Sequence, residues 1–387
     1  MPQIIQNSKN ILVVAGDVSG DVHASNLIKA IKAYAPEVSV TAMGGERMRA
    51  ASDKFLYNLV SKGASGFVEP FKKIPLWLRL LKMVKKYINQ QQPACAITID
   101  FYGFNHQVLG LAKHRGVATY YSVCPQVWAS RGYRAKTIVR LAKKMFVIFP
   151  FEKKIYTDLG GDAIFLGNPL LDTMPEPKPK TYQDGAQKDW KIGFLPGSRP
   201  GEIARHTRLF WDSFVEIKRR YPNATAHFFA VPEVSDAKLA ELMGGRLPQG
   251  FNIVRENDFA ARSDMDFVVT CSGTATLECA LLGLPMIVVY KTNWITYQIA
   301  KLIIKVPYIS LVNILSKKQV VKELIQKDAA VAAVAKEVCA VLSSEKAYCA
   351  MREKLLKIRQ DLGEGGVAEK AAKIIIDEVF PGNNYGR

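Results

Sequence analysis

Acidic residues are missing from two long stretches of this 387-residue chain. From Pro70 to Phe151 a single acid, Asp100, stands among 14 Lys and Arg, a net +13. From Cys279 to Lys322 there are six Lys and no acid, a net +6. The whole chain carries +18, so the remainder is close to neutral. A solvated surface intersperses its signs, and two one-signed blocks therefore imply an anionic partner: a phosphate-bearing ligand, an anionic membrane or nucleic acid. Cysteine is sparse too. Cys95, Cys124, Cys271, Cys279, Cys339 and Cys349 form no CxxC pair and have no His at zinc spacing, which excludes a disulfide scaffold or zinc ribbon and fits a reducing cytosol. No uncharged apolar run reaches the roughly 18–20 residues of a membrane span; the longest, Cys279 to Tyr290, is interrupted by Gly283 and Pro285. The segment Met1 to Asn10 is polar, unlike a signal peptide. The expectation is a soluble or peripheral protein, not an integral one.

What is present is a βαβα texture. Ile11 to Ala15, Ala94 to Ile99, Ala118 to Val123 and Lys144 to Ile148 read as strands, and Asn26 to Tyr34 as a helix with Leu27, Ile31 and Tyr34 on one face. A second αβ series has strands at Lys191 to Leu195, Ala226 to Ala230, Asp266 to Thr270 and Pro285 to Val289, followed by a helical tail. Pro169, Pro175, Pro177 and Pro179 punctuate the polar stretch between them. The expected organisation is a first domain over 1–170, a linker at 171–189, a second domain over 190–345 and C-terminal helices over 346–387 that pack back on the first. The fold class is α/β: two doubly wound parallel-sheet domains facing across a cleft.

Four sites carry candidate chemistry. After the first strand comes Ala15-Gly-Asp-Val-Ser-Gly-Asp21, where glycines permit a sharp turn, Ser19 can cap the helix, and Asp17 and Ser19 are candidate substrate contacts. It is not GxGxxG, and an ordinary strand–helix turn with Asp21 on the helix dipole is the alternative. After the second domain's first strand comes Leu195-Pro-Gly-Ser-Arg199, followed by Glu202; Ser198 can donate and Arg199 can fork onto a phosphate. Ser272, Gly273 and Thr274 put backbone amides and hydroxyls at a helix N-terminus suited to a diphosphate, with Glu278 about one turn in, where a carboxylate can accept ribose hydroxyls. A capping box headed by Thr274 is the alternative, though the box wants its Glu three residues on. Asp100 ends a strand and is a candidate base for a hydroxyl, or else a charge-balancing partner for an Arg. The histidines (His23, His106, His114, His206, His227) form no cluster, and there is neither a Ser/His/Asp arrangement nor a carboxylate group for a metal. No metal and no cofactor is expected.

The segment Phe67 to Ile88 spreads its apolar residues over an arc of about 220°, more than twice what one core-facing stripe needs, with Arg79, Lys82 and Lys86 opposite. Excess Trp and Leu beside a basic wedge suits an interfacial helix on anionic lipid, and Phe71, Ile74, Trp77, Leu80 and Leu81 are the candidate membrane-facing residues. Burial between protein layers or in a homodimer is the alternative. Trp294 to Leu315, with Lys301 and Lys305, forms a second apolar and basic element.

Taken together, these segments resemble the lipid-A-disaccharide synthases, inverting glycosyltransferases of the GT-B fold. The likeness runs in order through the first motif, Ile99-Asp100 with Phe104-Asn105, Cys124-Pro-Gln-Val-Trp-Ala129, Phe149-Pro-Phe-Glu-Lys153, Leu195 to Arg199, Ser272 to Glu278 and Val321-Lys-Glu-Leu-Ile-Gln326. The resemblance implies transfer of diacylglucosamine from UDP to the 6-hydroxyl of diacylglucosamine 1-phosphate, at the inner face of an anionic inner membrane and with no nucleic acid. It also implies that Arg199 meets the diphosphate, Ser272 to Thr274 cap it, Glu278 holds the ribose, Asn313 lines the same site and Asp100 is the general base. The chain departs from the family pattern at Asp17, usually Glu, at Gly103, usually Asp, and at Asn168 and Val312. A transferase or epimerase on unacylated UDP-N-acetylglucosamine, or a non-catalytic membrane- or nucleic-acid-binding protein, are the competing readings.

Overall fold

The computed structural model describes residues 9–60, 74–182, 189–256, 258–303 and 306–382. The chain divides into two compact units, one holding the residues up to Asp172 together with those from Leu362 onward, the other Thr173–Asp361.

Among the described residues the first unit is built on a seven-stranded parallel sheet: β1 (Asn10–Ala15), β2 (Ser39–Gly44), β3 (Lys54–Asn58), β4 (Cys95–Ile99), β5 (Ala118–Ser122), β6 (Lys144–Val147) and β7 (Ala163–Phe165). The strand order is β3-β2-β1-β4-β5-β6-β7. Helices cover both faces, which is why the central strands read as unbroken apolar runs rather than alternating ones. Ile11, Val13 and Ala15 of β1 pack with Leu27, Ile28 and Ile31 of helix Val18–Tyr34 and with Ala372, Ile375 and Ile376 of helix Val367–Val379. Leu12 and Val14 point the other way, onto Leu80 and Val84 of helix Ile74–Gln91 and onto Phe104 and Val108.

The second unit repeats the scheme among its described residues with β8 (Lys191–Leu195), β9 (Thr225–Phe229), β10 (Phe251–Val254), β11 (Phe267–Thr270), β12 (Met286–Tyr290) and β13 (Glu323–Ile325), in the order β10-β9-β8-β11-β12-β13. Its core is aromatic: Phe194, Phe210, Phe214, Phe228 and Trp190 interlock behind the sheet. The helical tail is shared between the units. Helix Glu345–Asp361 belongs to the second and helix Val367–Val379 to the first.

Both sheets reverse their order once, between β1 and β4 and between β8 and β11. Ligands of open α/β sheets bind beyond the carboxyl ends of strands at such a reversal. The segments that leave those four ends are Gly16-Asp17, Asp100-Phe101, Pro196 to Arg199 and Cys271 to Thr274. The topology thus gathers the sequence motifs into two sites, one in each unit.

Candidate active site

In the second unit a cavity of about 410 Å³ is lined by Gly197, Ser198, Arg199, Ser272, Gly273, Thr274 and Glu278. Gly197 has φ +118, and a Cβ there would sit 2.7 Å from Glu202, so only glycine fits. The buried Glu202 explains the turn: its Oε2 accepts from the amides of Ser198 and Arg199, each at 3.3 Å, and its Oε1 takes the Arg199 guanidinium at 2.8 Å. Arg199 is otherwise exposed, available to a phosphate. Helix Thr274–Leu281 opens on Gly273 with no side-chain cap, so Gly273 rather than Thr274 is the cap residue and no capping box forms. Its first amides point at the cavity end with the positive pole of the helix. The Ser272 hydroxyl donates to the Ile309 carbonyl at 2.7 Å, which leaves it an acceptor toward a ligand.

Glu278 is positioned by a residue that the sequence did not mark. Arg262 lies against the rings of Phe229 and Phe259 and donates from Nη1 to Glu278 at 2.5 Å, while its Nη2 meets Glu256 at 2.6 Å. Burial raises the Glu256 carboxyl above its ordinary value, with Arg262 opposing. Nothing local signals Arg262, because it is brought in by a left-handed turn at Phe259 (φ +63) that has no glycine to announce it.

One expectation for this unit is corrected. Asn313 does not line the cavity: it is fully buried, its Oδ1 accepts from the amides of Val320 and Val321 and its Nδ2 donates to Glu323 and to the Val321 carbonyl. All its capacity goes into clamping the loop before β13. His206 has a structural role. The Lys291 amide donates to Nε2, so Nδ1 carries the proton given to the Pro196 carbonyl, and burial lowers its pKa.

In the first unit Asp17 and Asp100 leave neighbouring strand ends. Asp17, not Ser19, caps helix Val18–Tyr34: its Oδ1 accepts from the Gly20 amide at 2.6 Å and from the Ser19 hydroxyl at 3.2 Å. Asp21 accepts from the amides of Gly45, Arg47 and Met48 and so fixes the start of the next helix. Asp100 makes no ion pair among the described residues. Burial pushes its carboxyl up to about 6, and the negative charge of Asp17 adds to this. A carboxylate tuned toward neutrality suits a general base better than a charge-balancing partner.

The membrane-facing set is also revised. Leu80 is 1% exposed and packs in the core with Val84 and Phe104, while Leu76, Trp77 and Leu81 lie half-buried on it. Trp77 meets the rings of Phe101 and Phe104 at 5.6 and 5.3 Å. The wide apolar arc arises because this helix faces both the sheet and helix Tyr102–His114. Phe71 and the Ile74 side chain lie outside the described residues. Leu78 of this helix is 55% exposed, but apolar exposure is denser on helix Trp294–Ile303, where Trp294, Ile295 and Leu302 are 70%, 65% and 86% exposed, alongside Lys301. Among the described residues no helix is long and apolar enough to cross a membrane.

A family model described as lipid-A-disaccharide synthetase matches residues 11–376. The chain belongs to this family. It is 33% identical to the lipid-A-disaccharide synthase of Geobacter sulfurreducens over 96% of this chain and 97% of that protein, and 32% identical to that of Myxococcus xanthus over 97% and 99%. Solved structures of similar fold include a UDP-GlcNAc 2-epimerase of Neisseria meningitidis, at TM-score 0.59 and 12% identity over 96% of this chain and 99% of that one. MurG of Acinetobacter baumannii is similar at TM-score 0.56 and 15% identity, over 95% of this chain and 98% of that one. As a lipid-A-disaccharide synthetase family member of GT-B fold, the protein is a hexosyltransferase of lipid A disaccharide synthesis.

Proposed function

We propose that the protein transfers 2,3-diacylglucosamine from UDP to the 6-hydroxyl of 2,3-diacylglucosamine 1-phosphate, with inversion, to give the β-1,6-linked disaccharide 1-phosphate and UDP. The observation that carries the donor half is the single cavity that joins an uncapped helix N-terminus, Arg199 and a braced Glu278. The amides at Gly273 and Thr274 and the Arg199 guanidinium take the diphosphate, and their positive ends meet the charge that grows on UDP as the glycosidic bond breaks. Glu278, held by Arg262, accepts the ribose hydroxyls. Asp100 takes the proton of the acceptor hydroxyl as its oxygen attacks the anomeric carbon on the face opposite UDP. Asp17 and Ser19 line the same strand ends and contact the acceptor. The exposed Trp294, Ile295 and Leu302 with Lys301 support contact with an anionic bilayer, the inner face of the inner membrane, from which acylated substrates are drawn.

The test is mass spectrometry of the product formed from a defined UDP-diacylglucosamine and diacylglucosamine 1-phosphate in detergent. A β-linked disaccharide phosphate with one UDP released per turnover is expected. Turnover of unacylated UDP-N-acetylglucosamine alone would overturn the reading. An Asp100→Asn enzyme at full rate would refute the base.

A further inference from the structure

The backbone that presents Asp100 is strained and is held by two side chains outside the reaction itself. Asp100 and Phe101 both adopt left-handed conformations, with φ +46 and φ +45, although neither is glycine. Cβ-bearing residues disfavour this region, and two in succession persist only where surroundings over-determine them. The surroundings here are specific. Asn105, fully buried one turn into the following helix, donates from Nδ2 to the Asp100 carbonyl at 2.8 Å and to the Ile99 carbonyl at 3.0 Å. The Tyr121 hydroxyl, from β5, donates to the same Asp100 carbonyl at 2.6 Å. The Asn105 amide cannot be turned over, because its oxygen would then face those carbonyls. As it stands, Oδ1 is buried without a partner, a cost that is tolerated where a polar group holds a functional conformation. From the other side the Phe101 ring closes over Gly16, where a Cβ would come within 2.0 Å of it, and Trp77 packs on that ring.

We propose that Asn105 and Tyr121 are positioning residues for the transfer: by gripping the Asp100 carbonyl they hold the left-handed turn that aims the Asp100 carboxylate at the acceptor hydroxyl. The role rests on the reading of Asp100 as the base. The grip acts on the main chain, so the carboxylate stays unencumbered for the proton, and a turn relaxed to ordinary backbone angles would swing it away from the sheet end.

Asn105→Ala and Tyr121→Phe are to be measured in the full-length enzyme, with Asp100→Asn alongside. The readouts are kcat, KM for the UDP donor, the pH profile of kcat and the folded fraction from thermal melts. Displacement of a reacting group by about 1 Å costs up to roughly 10²-fold. A drop of that order is expected for Asn105→Ala and about tenfold for Tyr121→Phe, with donor KM unchanged. The acidic limb moves to lower pH in both, because a carboxylate released from its burial regains water. If kcat stays within twofold, or falls only in step with the folded fraction while the limb stays put, the proposal is overturned. Should Asn105→Ala fail to fold, Tyr121→Phe, which deletes one oxygen, decides by the same criteria. Full activity in Asp100→Asn refutes the base itself, whereas a dead Asp100→Asn beside unimpaired Asn105 and Tyr121 variants refutes only the positioning role.

Discussion

Replacing Arg262 by Met removes the cation that stands between Glu256 and Glu278. The Arg262, Glu256 and Glu278 side chains are 11%, 10% and 18% exposed, so solvent does little to screen the pair that remains. Deleting one partner of a buried ion pair costs about 3–5 kcal/mol. The lower end, about 3 kcal/mol, is expected here because the cavity admits water to one side and a proton can take the place of the guanidinium. That proton sets the pH dependence. Without Arg262 the folded-state pKa of one carboxyl rises above its unfolded value, so the variant is most stable at low pH and loses that stability as pH rises through the raised value. UDP binding suffers as well, because a Glu278 that is no longer oriented forfeits a charge-assisted hydrogen bond worth about 1.5–3 kcal/mol, roughly ten- to hundredfold in Kd. Arg262→Lys keeps the charge but not the two-sided fork, and falls between. Calorimetric titration with UDP and urea unfolding at pH 5 and pH 8 provide the measurements. An Arg262→Met protein that binds UDP within threefold of wild type, with equal stability at both pH values, would show that the fork does not brace Glu278.

Two further outcomes follow from the geometry. The rate of transfer should fall as pH drops through about 6, where Asp100 takes up a proton, and Asp17→Asn, which keeps the helix cap but removes the neighbouring negative charge, should move that limb to lower pH in a kcat–pH profile; an unmoved limb refutes the coupling. Trp294→Glu with Leu302→Glu should abolish co-sedimentation with vesicles containing anionic lipid while UDP binding stays unchanged, and retained sedimentation would remove helix Trp294–Ile303 from the membrane surface.

The strand-and-helix scaffold was legible because parallel strands buried on both faces write themselves as short apolar runs, as in Ile11 to Ala15 and Lys191 to Leu195. The central, buried Ser39–Gly44 escaped because Ser39, Thr41 and Gly44 break its run, and the edge strands Lys54–Asn58 and Glu323–Ile325 escaped because they are short and partly exposed. The donor motif was legible as a cluster of small residues followed by Glu278. Asn313 was misassigned because the resemblance supplies a residue's neighbourhood and not its hydrogen-bond partners, which here are all backbone amides, a carbonyl and Glu323. The helix at 74–91 misled for a different reason. An arc too wide for one contact is equally apt for two protein neighbours or for lipid, and amphipathicity alone does not tell them apart. Arg262 was invisible because its partners are 6 residues before it and 16 after, with no spacing that a helix or strand would repeat.

The path of the chain has a consequence for how the protein is made. Helix Val367–Val379 fills one face of the first unit's core, against Ala24, Leu27 and Ile31, yet it is synthesised after the entire second unit. Until those residues leave the ribosome, a nascent first unit exposes that apolar face, and the later-made unit is the first to be complete in sequence. The unit whose synthesis begins first is therefore the last to be completed. The nascent chain needs shelter at the α/β face around Leu27, and substitutions in the last helix such as Ile375→Asp would lower the yield of folded protein before they touched its catalytic rate.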